Sequence, residues 1–192
     1  MAIFKDWGFD FISMTIKSKA LSVCYFLCLP LFVQAQEVDE ITLKALWIGK
    51  FTYFIEWPST SSNSPVFTIA TLQNKSFHEQ MTVLLSKHSL CGKPVKTVWL
   101  KQFSDTIDYQ VLVLPEMKTE ELNSIVEKTK NKPILLIGDT GNYAQSGVHI
   151  NFYIEDQYIK FEINETSMQN SGFFVSYRLL NIARIVEPVI KE

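Results

Sequence analysis

Cysteine is nearly missing from this 192-residue chain: Cys24 and Cys28 fall in the first 35 positions, and only Cys91 lies beyond them. A body with one cysteine forms no internal disulfide, so a packed apolar core has to hold it. Cys91 itself reads as a buried small hydrophobe, with an intermolecular disulfide or a free reactive thiol as alternatives. Histidine is equally scarce. His78, His88 and His149 are scattered, and none sits at ligand spacing with a cysteine or carboxylate. No metal site is expected, and each histidine reads as a surface or packing residue.

Charge of one sign is lacking too. The chain has 18 basic and 20 acidic residues, dispersed along its length. That excludes a basic footprint for nucleic acid and a polybasic membrane patch. Enzyme signatures are missing: there is no Gly-x-Ser-x-Gly elbow, phosphate-cradling Gly-Lys-Ser/Thr loop, dinucleotide fingerprint or zinc-protease helix. No catalytic residue is assigned, no cofactor is expected, and the chain reads as a non-enzyme. Beyond Val33 no apolar run approaches the length of a stable membrane span.

What is present begins with an export signal. Lys17 and Lys19 supply a basic n-region, Ala20 to Val33 an apolar run of 14 residues, and Val33-Gln34-Ala35 a small-residue cleavage site. The run is too short to cross a hydrocarbon core of about 30 Å, although an uncleaved anchor is the alternative. Neither Cys24 nor Cys28 follows a small residue, which argues against lipoprotein processing. Asp6 and Asp10 sit awkwardly before a basic n-region, so Met14 is an alternative start. Cleavage after Ala35 divides the chain into residues 1–35, an N-terminal extension with its signal peptide, and residues 36–192, one exported domain. That domain holds 157 residues, 15 basic and 18 acidic.

Helix comes first in the domain. Leu43, Trp47, Phe51, Phe54 and Ile55 form one apolar stripe over residues 38–55, and Pro58 ends it. Residues 66–72 are β-rich, 77–87 helical, and 95–100 a second strand. Val111 to Leu114 and Ile134 to Ile137 are continuous apolar runs, the mark of strands buried on both faces. Between them Thr119 is expected to cap a helix whose first turn carries Glu120 and Glu121. Residues 148–154 and 158–163 alternate around a short connection, which predicts an antiparallel hairpin. Val175, Leu179, Ile182 and Val186 then repeat at helical spacing and predict one long helix over residues 165–186. The fold class expected is α/β: a single three-layer αβα domain with a mostly parallel sheet, a C-terminal antiparallel hairpin and a long final helix.

Three groups of residues are candidates for function. Gly138-Asp139-Thr140-Gly141-Asn142 follows a buried strand, at the carboxyl ends where α/β sheets bind ligands. Ordinary turn chemistry is the favoured account of it, with Gly supplying positive φ and Asp capping its own backbone, and ligand contact the alternative. Asp139, Asn142 and Gly147 are accordingly ligand-pocket candidates. Asn164-Glu165-Thr166 matches a glycosylation sequon, but Asn164 reads better as the N-cap of the last helix. The aromatic density of Trp47, Phe51, Tyr53, Phe54 and Trp57 suits a core helix or a partner-binding patch.

The ordered set of motifs resembles a known family. Leu43-Lys44-Ala45-Leu46 through Phe51, Phe54 and Trp57-Pro58 opens the likeness. Pro133 to Asp139, Gly147 to Phe152 and Lys160 to Asn164 continue it, and Val175 to Ala183 closes it. Together they resemble the YfiR-like family of small exported bacterial proteins, across essentially the whole exported domain. The resemblance implies a periplasmic regulator that binds the periplasmic sensor domain of an inner-membrane diguanylate cyclase and restrains it, so limiting cyclic-di-GMP and biofilm. It also implies a capacity to dimerise. Disulfide control of the kind some members use is not expected with Cys91 alone. The partner contact is placed on exposed parts of Phe51, Phe54 and Trp57 and on the hairpin at Asn151, Phe152 and Tyr153, since aromatic anchors commonly carry interfaces. The alternative is a small-molecule-binding accessory protein of an envelope sensing or uptake system, using Asp139, Asn142 and Gly147.

Overall fold

Asp39 starts the first helix, its carboxylate accepting from the Thr42 amide at 3.0 Å and the Thr42 hydroxyl at 2.9 Å. The computed structural model describes residues 39–58 and 64–187. The signal peptide, the alternative start at Met14 and most of the loop after Trp57-Pro58 lie outside the described residues. The elements in chain order are α1 Glu40–Phe54, β1 Ile55–Glu56, β2 Phe67–Leu72, α2 Lys75–Leu85, β3 Ser89–Leu90, β4 Lys93–Leu100 and β5 Val111–Val113. Next come α3 Thr119–Thr129, β6 Leu135–Gly138, β7 Ile150–Glu155, β8 Tyr158–Asn164, α4 Glu165–Asn170, β9 Phe174–Val175, α5 Tyr177–Leu180 and β10 Arg184–Val186.

Helix α1 is held by its aromatic stripe. Phe51 is fully buried. Its ring stacks with Trp47 at 5.8 Å and Phe152 at 5.7 Å, and meets Phe161 edge-on at 5.0 Å. Ile55 turns extended, three residues before Pro58, and enters β1, a two-residue strand paired antiparallel with β9.

Eight strands form the main sheet, in the order β10-β8-β7-β6-β5-β2-β4-β3. Pairings from β4 through β2, β5 and β6 to β7 are parallel, as is β8 with β10, whereas β7 with β8 and β3 with β4 are antiparallel. Strand β2 is buried along its whole length, as its unbroken apolar and threonine composition requires of a central strand. Alternate strand residues serve two apolar clusters. Ile69, Val111, Leu135, Ile137 and Ile150 pack with α1 and α2, whereas Ala70, Leu112 and Leu136 pack with Leu122 and Ile125 of α3.

Two expectations fail. Thr119 is the first residue of α3 rather than its cap; the N-cap is Lys118, which makes no side-chain cap bond. Lysine has no acceptor to offer, so the first-turn acids Glu120 and Glu121 alone complement the amides.

The long final helix is the second. Residues 165–186 form two short helices and two strands. Gly172 has φ 79°, which glycine adopts without strain. Its amide donates to Gln169 O at 2.9 Å, and the Phe173 amide reaches back to Met168 O at 3.0 Å. These two bonds, with buried Phe173 and Met168 in one cluster, are a Schellman stop. Beyond it, pairing of Phe174–Val175 with β1 and of Arg184–Val186 with β8 satisfies the backbone in place of a helix.

Replacing Phe51 by Ala should remove about 3–5 kcal/mol of stability, the range for emptying a buried aromatic site. Urea denaturation followed by circular dichroism measures it. A loss under about 1 kcal/mol would mean that α1 is not seated through this ring.

Candidate functional site

Parallel topology points to one crevice. β4 and β5 leave β2 on opposite sides, so the carboxyl ends of β2 and β5 form the switch point at which open α/β sheets bind ligands. Here that position is filled. Lys44, a buried α1 side chain, lies over it with Nζ 2.5 Å from Glu40 Oε1 and 3.0 Å from Asp139 Oδ2. Burial lowers the Lys44 pKa, but hydrogen bonds and charge from Glu40 and Asp139 outweigh it, so the net shift is upward and the ammonium stays charged. Beneath it is a cavity of about 30 Å³ bounded by Thr71, Leu114, Asp139 and Phe152. That space suits one water and excludes a metabolite. Asp139 is therefore a partner to lysine.

The Gly138–Asn142 segment is built differently from the expected turn. Gly138 does not supply positive φ; that conformation belongs to Asn142, at φ 67°. Gly138 is needed for close approach, because a Cβ there would come within 2.6 Å of the Tyr143 ring. Tyr143 hydroxyl accepts from the Met117 amide at 2.8 Å and donates to Pro115 O at 3.0 Å, tying this segment to the loop after β5.

A second, larger cleft of about 770 Å³ opens between α3, residues 142–147 and α4. Asn142 and Gly147 line it, together with Asn123, Val126, Gln145 and Ser167. The three ligand-pocket candidates thus divide: Asn142 and Gly147 share this cleft, and Asp139 belongs to the filled crevice. At the cleft's inner wall stands His149, wholly buried. Its Nδ1 accepts from the Leu136 amide at 2.9 Å, so the ring proton is on Nε2, 3.0 Å from Ser171 Oγ. Burial pushes its pKa down to about 4, leaving it neutral. It is a packing histidine with both nitrogens engaged.

His149 leads to an aromatic relay. Its ring meets Phe173 edge-on at 5.4 Å, and Phe173 meets Trp57 at the same distance. Trp57 also stands edge-on to Phe67 at 5.4 Å. Where β1 and β9 pair, Ser176 N donates to Phe54 O at 2.8 Å. The register matches Glu56 with Phe174, and that bond sets the start of α5 beside the last turn of α1. Tyr53, Phe174 and Tyr177 are 72%, 72% and 75% exposed, an aromatic patch around the end of α1.

The partner-contact candidates fall unevenly. Phe51, Asn151 and Phe152 are buried at 0%, 1% and 3% exposure, so they form core rather than a contact surface. Asn151 instead donates to Thr140 O at 3.0 Å and to buried Glu162 at 3.1 Å. Phe54, Trp57 and Tyr153 are half-buried. Arg184 covers the Tyr153 ring at 4.0 Å while bonding Glu155, which also pairs with Lys160. Asn164 is fully buried, capping α4 through Ser167 N at 2.8 Å and donating to Ala144 O at 2.7 Å, so the sequon is structural. Cys91 is exposed rather than buried, in the tight β3–β4 turn with Gly92. Its thiol is nonetheless shielded enough for burial to raise the pKa, against the lowering effect of Lys93.

Lys44 as an ion-pair residue, and Phe174 and Tyr177, were not singled out from sequence; Tyr53 was named only within the aromatic density of α1. A lysine on the buried face of α1, four residues after Glu40, was the available signal for the first. The second depends on the β1–β9 pairing, which no sequence pattern marks. Among the described residues no three His, Cys, Asp or Glu side chains converge as a metal site, and no helix is long and apolar enough to cross a membrane.

Fold and site define a mixed α/β domain on a mostly parallel sheet, with its switch-point crevice closed by an ion pair and an aromatic patch at one end. The chain belongs to the YfiR/HmsC-like family, whose model matches residues 41–184. That membership fits a regulatory role. No curated protein matches the sequence. A solved structure described as an ABC domain in complex with L-Trp from Streptococcus pneumonia is similar at 13% identity and a TM-score of 0.46. The match covers 63% of this chain and 55% of that one, so this chain spans about half its length. A likeness at that level carries no argument.

Neutral burial of His149 gives a pH dependence. Its folded pKa is depressed, so its contribution is complete above the unfolded value of 6.5 and is lost as pH falls to about 4. The loss should reach roughly 3 kcal/mol. Denaturation midpoints across that window should fall with acidity, and His149→Asn should flatten the curve.

Proposed function

We propose that the protein is a non-enzymatic periplasmic regulator, exported by the segment ending at Ala35. It binds the periplasmic sensor domain of an inner-membrane signalling protein, a diguanylate cyclase, and restrains it. The observation that carries this reading is family membership over residues 41–184. A restraining protein must favour the inactive arrangement of its target, and only the difference in affinity between the two arrangements shifts the equilibrium. The Tyr53–Phe174–Tyr177 patch supplies a surface for such binding. Large, exposed aromatic rings lose much apolar area to water on docking and are common energetic centres of interfaces. Half-buried Phe54 and Trp57 pack against the core near the same end of α1. The buried candidates Phe51, Asn151 and Phe152 act only by shaping the support.

A second reading is favoured by the cleft of about 770 Å³, a volume within the range of small-molecule sites. In it the protein is an accessory component of an envelope sensing or uptake system.

Affinity capture of the tagged protein after cross-linking in intact source cells tests the first reading. Enrichment of a membrane protein with a periplasmic sensor and a cytoplasmic cyclase domain is expected. Recovery of a transporter, receptor or kinase in its place would favour the accessory reading. Phe174→Ala and Tyr177→Ala should each weaken capture about tenfold or more, the loss of one anchor residue. Their circular dichroism should match the parent. Undiminished capture by both variants would remove the patch from the interface.

A further inference from the structure

We propose that the cleft between α3 and α4 binds a neutral, polyhydroxylated small molecule of monosaccharide size. The inference rests on the small-molecule reading of that cleft and adds the ligand's chemical class.

The lining decides the class. Asn123, Asn142 and Gln145 line it with amides, and Ser146, Ser167 and Ser171 with hydroxyls, Ser146 already donating to Asn142 O at 3.0 Å. Each such group offers donor and acceptor capacity together, which is what a sugar hydroxyl requires of its neighbours. Gln145 Oε1 is buried and accepts no hydrogen bond among the described residues. An acceptor in that state lacks the donor it needs, and a ligand hydroxyl is such a donor. At the inner wall the His149 Nε2 proton goes to Ser171 Oγ, so the Ser171 hydroxyl keeps its own proton for another acceptor.

Charge argues in the same direction. Glu127 and Lys130 are the charged side chains of the lining, and they stand 3.6 Å apart at the C-terminal end of α3. Each offsets the other, leaving no spare cation for a phosphate or carboxylate and no spare anion for an amine. An apolar ligand would strand the amides without partners. Val126 and Leu136 give the cleft an apolar wall suited to the C–H face of a sugar ring. At about 770 Å³ there is room for one ring with its hydration, or for two linked rings.

The test uses isotope-labelled protein purified from the envelope of cells expressing the full chain. Glucose, N-acetylglucosamine and myo-inositol are titrated into the tens of millimolar, with glucose 6-phosphate and gluconate as charged counterparts. The side-chain amide resonances of Asn142 and Gln145 should shift saturably with at least one neutral compound. Its charged counterpart should bind about tenfold more weakly or worse, equivalent to about 1.4 kcal/mol. Gln145→Leu should weaken binding by a similar factor, and Val126→Trp, which fills the cleft, should abolish it.

Saturable binding of only the charged compounds would overturn the class while sparing the small-molecule reading. Shifts unchanged in Gln145→Leu would place the site elsewhere. No saturable shift with any compound would remove both the class and the small-molecule reading.

Discussion

Everything in this domain depends on how α1 is pinned to the sheet. Phe51 enters a pocket of three other aromatic rings, two of them from β7 and β8. Those strands are the antiparallel pair at one side of the parallel sheet. The contact therefore joins the first element of the fold to its later half. With α1 fixed there, its opening turns deliver Lys44 to the carboxyl ends of β2, β5 and β6, and its end delivers Ile55 to the pairing with Val175. Close-packed aromatics tolerate little displacement. The ion pair at one end of α1 and the ribbon at the other consequently share one anchor.

That arrangement changes where function can sit. In many α/β sheets the switch point is open and the protein works there. In this chain a buried ammonium with two carboxylates occupies the position. Glu40 and Asp139 keep half their side chains in water, so the Lys44 pairs are screened and their worth is modest. Their effect is steric as much as energetic. Closing the crevice moves the available surface to two places, the α3–α4 cleft and the aromatic end of α1. Both are completed by the segment after β8, where the chain abandons the simple βα alternation.

The legible parts of the sequence were those governed by local rules. The α1 stripe ending before Pro58, the doubly buried runs of β5 and β6, and the alternating pair at residues 150–163 correspond to elements of the structure. Asn164 was readable as an N-cap because its side chain needs only the amide three residues ahead. Failures begin where long-range pairing decides. Val175, Leu179, Ile182 and Val186 do repeat at helical spacing, yet Gly172 stops the helix and two strand partners claim the chain beyond it. Gly172 was the visible warning, a glycine just beyond a polar turn. The placement of Phe51, Asn151 and Phe152 at a surface failed for a related reason. Periodicity locates a face, but only the sheet determines whether anything covers it. Asp139 was identified as a special position, but the lysine that claims it lies 95 residues away.

The short span from Ser171 to Phe174 bridges the cleft and the aromatic end of α1. Ser171 belongs to the inner wall of the cleft and to His149; Phe174 belongs to the exposed aromatic patch. Between them Gly172 lies against Pro58, where an added Cβ would come within 3.3 Å of its ring, and Phe173 is wedged against both Trp57 and His149. Only Gly172, in its positive-φ turn, and the wedged Phe173 separate the two surfaces. An occupant that repositioned Ser171 would press on the same turn that carries Phe174. Such influence is reciprocal by thermodynamic necessity. The glycine that ended a helix would then serve as the hinge of a two-way conversation between an effector and a docked protein.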